Sequence, residues 1–402
     1  MKILYLCDEY PPGKHGGIGT SVRLLAREIA KAGHKVIVAG LYGPGYGGKD
    51  EFEDDGVKIY RFRRGFNYKW LRDEQSFAVK VSNKILQLTG VMEAEIKRGL
   101  AVYNKELEKI IQDNRIDLVE MPDYNDYIRF CKSFVSFPVL SVPVVVKLHG
   151  SITYIAEESG KQVPAHILKM EQSILNQAAA VSSVSKYTAA KSAKYFSYPD
   201  KIEVLYNGIN VNVPAEESSK NSKQVIYTGT IVKQKGIYQL LKAWNEVNTE
   251  MPDARLIILG RGARRQAISC LNEQARHTVS FMGHVPTEKL YNYLASSQIS
   301  VFPSYIESFS LAPLEAMACG TAVINSKRSS GPELIDDDKN GLLVDPDDTV
   351  QIASSILNLL NNPETCRRLA EKGKEKVKDR FDIQKIAAQN IEFYNKILSS
   401  RQ

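Results

Sequence analysis

The chain has 402 residues, 43% of them hydrophobic, which is enough for two full cores and too much for one ordinary domain. Its 53 basic and 46 acidic side chains leave a net charge of +7, with the basic residues interspersed among acids, so no dedicated nucleic-acid face is indicated. The cysteines Cys7, Cys131, Cys270, Cys319 and Cys366 are odd in number, far apart and in no metal-ligand spacing, which excludes a disulfide framework and points to reduced core thiols in a cytosolic protein.

The opening, MKILYLCDEYPP, has too few apolar residues before Asp8 and Glu9 for a signal-peptide core, and residues 2–7 read instead as a strand buried on both faces. A glycine-bearing loop follows, then an amphipathic helix over 20–31, Gly33 as its terminator and a second strand over 35–39. This is a βαβ opening. Gly16 and Gly17 let the backbone come close to a ligand at the helix N-terminus. The loop is not a dinucleotide fingerprint: no G-x-G-x-x-G follows the first strand, and the second strand ends in Ala39 and Gly40 rather than an acid.

Residues 57–62 are a third strand, and 66–114 are mostly helical in pattern. Near the start of that stretch, Trp70, Leu71 and Phe77 either pack in the core or form an apolar lip for an acceptor or a membrane surface. Strands follow over 116–121 and 143–148, the second ending in KLHGS, which places His149 at the carboxyl end of a parallel strand where open α/β sheets bind ligands. The longest apolar region, 134–148, is broken by Pro138, Ser141 and Pro143 and falls short of the roughly 20 residues needed to span a bilayer. Membrane contact, if made, is peripheral. A strand over 179–184, a helix beginning SKYTAAK and a strand over 202–205 close the first half, and the polar, aperiodic stretch 206–224 is a linker.

The alternation then restarts: a strand over 225–228, the loop GTIVKQKG, a helix over 237–248, a strand over 255–259, the loop GRGARR, a helix through about 274, and a strand over 279–282 ending in GHVP. Lys235 lies in the first of these loops, where an ammonium neutralises phosphate as a compact point charge. A helix over 287–296, a strand running into Phe302 and a strand over 322–325 complete a second doubly wound unit, and residues 347–402 are helical and charged.

The most informative stretch is 301–320, VFPSYIESFSLAPLEAMACG. Pro303 and Ser304 stop a buried strand, Ser308 or Ser310 caps a helix over 311–319, Pro313 falls in its first turn where no internal donor is lost, and Gly320 ends it. Glu307 therefore lies on the loop and Glu315 on the helix. A helix beginning there points free N–H groups and a partial positive charge into the ligand crevice, which suits a phosphate. Acids so close to a phosphate are tolerable when their oxygens accept from hydroxyls, which suggests a diphosphate with a sugar at each end.

Taken together the residues resemble the retaining glycosyltransferases of family 4. TGTIVKQKG, ILGRGAR, VSFMGHVP, VFPSYIESFSLAPLEAMACGTAVI and GPELIDDDKNGLLV appear in family order, and PPGKHGGIGTSVRLLAREIAKAGHKV, KLHG and YNGIN agree in the first half. The resemblance implies the α/β GT-B fold, two doubly wound Rossmann-like domains facing across a cleft. Residues 1–205 would be the acceptor-side domain, 206–224 the linker, 225–382 the nucleotide-sugar-binding domain, and 383–402 a helix crossing back to the first domain. It also implies roles. Glu315 would bind ribose hydroxyls, Lys235 the diphosphate, the amides of Ser310 and Leu311 the phosphate or sugar, and the backbone from Gly283 to Val285 the base. Glu307 and His149, the catalytic candidates, would contact the donor sugar, and Gly16 and Gly17 would line the diphosphate. The family often carries an arginine where Thr230 stands, and Lys233, Arg261 or Arg264 would replace that charge. Ser308 and Ser310 stand where the family often has glycines, and side chains there narrow the sugar site.

The implied activity is metal-independent transfer of a sugar, with retention, from a UDP- or GDP-sugar to a glycan or lipid-linked acceptor in bacterial polysaccharide or glycoconjugate synthesis. No cofactor and no nucleic acid would be involved, and the setting would be the cytoplasm or the inner face of the membrane. A nucleotide-sugar 2-epimerase of the same fold and a catalytically silent sugar-nucleotide-binding module are the alternatives.

Overall fold

The computed structural model describes residues 1–13, 15–43, 46, 48–63, 90–213 and 221–400. Trp70, Leu71 and Phe77 lie outside the described residues. The chain forms two compact units, one of Met1–Gly208 with Ile383–Gln402 and one of Ile209–Asp382.

In the first unit, β1 (Lys2–Leu6), β2 (Lys35–Tyr42), β3 (Glu51–Asp54), β4 (Val57–Arg63), β5 (Leu118–Pro122), β6 (Val144–Leu148), β7 (Ala180–Ser183) and β8 (Ile202–Val204) form a sheet in the order β3-β4-β2-β1-β5-β6-β7-β8. It is parallel except for the β3–β4 pair. Both faces are covered, as its near-continuous apolar strands require: Ile3 and Tyr5 face one core layer, Leu4 and Leu6 the other. Residues 51–54, EFED, carry no strand signal of their own. They pair at the sheet edge, and Asp54 there receives Arg23, Arg27 and the Tyr10 hydroxyl.

The helices α1 (Gly17–Lys31), α2 (Val91–Asn114), α3 (Ile152–Glu158), α4 (Ala165–Gln177) and α5 (Lys186–Phe196) pack on this sheet. Helix α1 begins three residues earlier than its sequence suggests, because the Glu9 carboxylate accepts from the Gly16 and Gly19 amides and caps it from outside the local sequence.

In the second unit, β9 (Asn221–Thr228), β10 (Arg255–Leu259), β11 (Val279–Gly283), β12 (Ser297–Phe302), β13 (Ala322–Ser326) and β14 (Leu342–Val344) form a wholly parallel sheet in the order β11-β10-β9-β12-β13-β14. Strand β9 starts at Asn221, within the stretch read as linker. Helix α6 (Ile237–Glu250) buries Ile237, Leu240, Leu241, Trp244 and Val247, and Trp244 Nε1 donates to Thr278 Oγ1 at 2.9 Å. The single helix expected after GRGARR is broken into α7 (Arg264–Ile268) and α8 (Glu273–Arg276), since Asn272 caps a new start by accepting from the Ala275 amide. Helices α9 (Thr287–Ser296), α10 (Leu311–Ala318), α11 (Gly331–Leu334), α12 (Thr349–Asn361) and α13 (Pro363–Arg380) follow.

The last helix, α14 (Ile383–Ser399), belongs to the first unit and packs on α1. A buried polar network fixes it there: Tyr394 donates to Glu120 at 2.6 Å and lies 3.1 Å from the Tyr5 hydroxyl, and Lys147 Nζ donates to Asn390 at 3.0 Å. The cysteines are all free; Cys7, Cys131 and Cys366 are buried, whereas Cys270 and Cys319 are only half-buried, so two of the five depart from the expected core placement.

Candidate active site

Each sheet reverses its winding at one place, between β9 and β12 in the second unit and between β1 and β5 in the first. Loops leaving the carboxyl ends of strands diverge at such points and leave a crevice. In the second unit these loops are residues 229–236 and 303–310, the stretches that contain Lys235 and Glu307. Three ties hold them together. The Tyr305 amide donates to the Gln234 carbonyl at 2.8 Å, Lys235 Nζ donates to Glu307 Oε1 at 2.5 Å, and a Cβ on Gly236 would sit 1.7 Å from the Pro303 carbonyl oxygen. Gly236 also has φ of +67°, so both its conformation and its neighbour demand glycine.

Ser310 occupies the N-cap of α10, but its side chain caps nothing, contrary to the expected role. With Pro313 supplying no donor, the Leu311 amide at the helix start stays available to a ligand at the positive end of the helix. One turn further, the half-buried Glu315 carboxylate has no hydrogen-bond partner among the described residues. Burial pushes its pKa up to about 7. Its charge also raises the pKa of the largely buried Tyr291 hydroxyl on α9, after burial itself.

Arg261 is exposed just past β10, and its carbonyl accepts from the Ile231 amide at 2.8 Å. Lys233 is exposed in the loop after β9, while Arg264 lies over the Phe281 ring at 5.3 Å. Gly283 ends β11, accepts from the Gly260 amide at 2.8 Å and has φ of +75°; Val285 beyond it is half-buried. The structure thus places Lys235 against Glu307, and Ser310, Leu311 and Glu315 on one short helix, with Arg261, Gly283 and Val285 on the loops after neighbouring strands.

In the first unit, the Gly16 amide is already given to Glu9 at 3.1 Å, whereas nothing lies within 4 Å of a Cβ built on Gly17. His149 follows β6 and is half-buried. Its amide and that of Gly150 donate to the two oxygens of buried Asp123, at 2.7 and 3.2 Å. Burial, and then the Lys147 ammonium, hold the imidazole down to about 3, so His149 is neutral at pH 7 and can both donate and accept. Burial pushes Asp123 up to about 7. Glu171 continues the pattern, accepting from the Ile152 and Thr153 amides at 2.8 and 3.0 Å.

The profile described as Glycosyltransferase Family 4 matches residues 15–213, and that of the Glycosyl transferases group 1 matches residues 210–376. The chain belongs to this family of glycosyltransferases. It is 24% identical to the glycogen synthase of Mycobacterium tuberculosis over 98% of this chain and 94% of that protein. The solved sucrose-phosphate synthase from Thermosynechococcus elongatus superposes with a TM-score of 0.76 at 21% identity over the whole of both chains. The Anabaena protein HepE, solved in complex with UDP-glucose, superposes with a TM-score of 0.67 at 18% identity, again over both chains entire. The expected GT-B fold is the one shared with these structures, and the enzyme class is that of a hexosyltransferase.

Glu9, Asp123 and Glu171 escape a reading of the glycosyltransferase from sequence. Asp123 could have been found, since it follows a predicted strand end at the ligand edge. Glu171 lies within α4, and its amide partners are 18 and 19 residues away, so no local signal marks it.

Proposed function

We propose that this glycosyltransferase moves a hexosyl group from a UDP- or GDP-sugar to an acceptor hydroxyl with retention and without a metal ion, in the cytoplasm, for a bacterial polysaccharide or glycoconjugate. The observation that carries the proposal is the group at the second unit's switch point: an ammonium held by a loop acid beside an uncapped helix start, with a partnerless carboxylate one turn along. A carboxylate without a partner suits the two hydroxyls of a ribose, which supports that role for Glu315. Lys235 exchanges Glu307 for the diphosphate, and Glu307 is then left to accept from the sugar. The amides of Ser310 and Leu311 meet the phosphate, Arg261 or Lys233 adds the second cation, and the backbone from Gly283 to Val285 meets the base.

In the reaction the bond from the anomeric carbon to the phosphate oxygen breaks, with its electron pair passing to the diphosphate. The acceptor oxygen bonds to that carbon on the same face, and its proton goes to the departing phosphate oxygen. Charge grows on the diphosphate as the bond opens, so Lys235 and the helix amides bind the transition state more tightly than the ground state. Neutral His149 contacts a donor-sugar hydroxyl without repelling the positive charge that develops on the sugar ring.

Glu315→Ala and Lys235→Ala should each lower nucleotide-sugar turnover by about a hundredfold or more in a folded protein, and full activity in both would refute the assignment. Activity lost in EDTA and restored by magnesium would refute metal independence, and donor isomerised without acceptor would select the epimerase. Among the described residues no helix is long and apolar enough to cross a membrane. Attachment to the inner face of the membrane is a finer part of the proposal, resting on the exposed Phe134 and Val139 and checked by co-sedimentation with anionic vesicles.

A further inference from the structure

Tyr305 stands two residues before Glu307 and ties the loop of that acid to three others. Its amide donates to the Gln234 carbonyl in the loop after β9, and its hydroxyl donates to Asp347 Oδ1 at 2.7 Å in the turn after β14. Its ring lies under the Arg328 guanidinium, which sits 5.3 Å from the ring centre in the loop after β13. From that same loop Ser329 Oγ donates to the Tyr305 carbonyl and Ser330 Oγ to the Glu307 carbonyl, each at 3.4 Å. Ser329 has φ of +53°, a left-handed conformation that a serine keeps only where its surroundings impose it.

Arg328 Nη2 also donates to Asp345 at 2.7 Å and to Asp347 at 2.6 Å, so the guanidinium and the tyrosine hydroxyl share one carboxylate. The hydroxyl, and then Arg328, hold Asp347 below the ordinary carboxylate range, and burial pushes Tyr305 up to about 12, so the clasp is intact through neutral pH. The Asp347 side chain is 63% exposed and that of Arg328 35%, and ion pairs so open to water contribute little to folding. What the clasp fixes is geometry. Lys235 Nζ holds the Glu307 carboxylate, and when that ammonium turns to the diphosphate the position of Glu307 depends on its backbone. We propose that Tyr305 is a positioning residue for the transfer: gripped by Arg328, Asp347 and Ser329, it keeps the Glu307 carboxylate at the donor sugar after Lys235 has left it. This rests on the roles proposed above for Glu307 and Lys235 and extends them to the loops after β13 and β14.

The test follows nucleotide release from UDP-glucose and GDP-mannose by the full chain. Tyr305→Ala and Arg328→Ala should each lower kcat about tenfold or more, since misplacing a group by about 1 Å at the reacting centre can cost more than that. Tyr305→Phe, which keeps the ring under Arg328, should lose less than about threefold. A double-mutant cycle decides the matter: in a Glu307→Gln background, Tyr305→Ala should change kcat by less than about twofold, because its effect passes through the acid already altered. A merely structural defect would lower the folded fraction and cut kcat by the same factor in both backgrounds. Arg328→Ala, at a side chain open to water, serves in the same cycle should Tyr305→Ala fail to fold. Equal factors in the two backgrounds, or full activity of Tyr305→Ala and Arg328→Ala while Glu307→Gln is impaired, overturn this inference alone. Full activity of Glu307→Gln removes the role proposed for that acid, and no turnover of either donor by the unaltered chain removes the transferase reading itself; this inference falls with either.

Discussion

Glu315 sits where an ordinary protein would not leave an acid. Its folded-state pKa, pushed up to about 7, lies above the usual glutamate value, so the native state prefers the protonated form. Its contribution to stability is whole below about pH 4.5 and is lost as pH rises through 7. Glu315→Gln should therefore raise the melting temperature by roughly 2 °C or more at pH 8 and by little at pH 4.5, as followed by scanning fluorimetry. The same change should weaken nucleotide-sugar binding, a trade of stability for function. That Glu307 lies on a loop and Glu315 on the helix after it was legible because a strand end, a helix start and both acids fall within a short run whose geometry local rules dictate. Glu171 was not, because its partners, the Ile152 and Thr153 amides, lie 19 and 18 residues away and only the folded chain brings them near.

At the scale of elements, the loop after β9 is set by one close approach. Gly236→Ala puts a methyl group into the Pro303 carbonyl at a positive φ, so the loops after β9 and β12 must separate and Lys235 leaves Glu307. We expect a loss of more than about 2 kcal/mol in urea denaturation together with loss of nucleotide binding, whereas Gly17→Ala, with open space around it, should cost far less. Most strands and helices were readable from apolar periodicity, since both sheets are buried on two faces and their strands are continuous apolar runs. The exceptions share a cause. The start of α1 depends on Glu9, the strand EFED on Asp54 and its arginines, and the break before α8 on Asn272, all polar contacts that periodicity does not register.

Across the whole molecule, the alternation of strand and helix indicated two doubly wound units, but not which strands neighbour which; the order in each sheet comes from pairings between strands distant in sequence, which the alternation does not record. Nor does the pattern of α14 say what it covers, since an amphipathic stripe fits any apolar face. Its polar anchors do. Tyr394→Phe leaves Glu120 without its 2.6 Å donor and should cost about 1–3 kcal/mol, seen as a lower urea midpoint for the first unit.

That anchoring bears on how the chain is made. Residues 209–382 are contiguous, so the second unit can close as soon as they leave the ribosome. The first unit begins emerging earlier, yet its core includes Ile383, Ile386, Ala387 and Tyr394, which are translated after the second unit. The half synthesised first is thus completed second, and until then the apolar side of α1 that α14 covers stays uncovered by it.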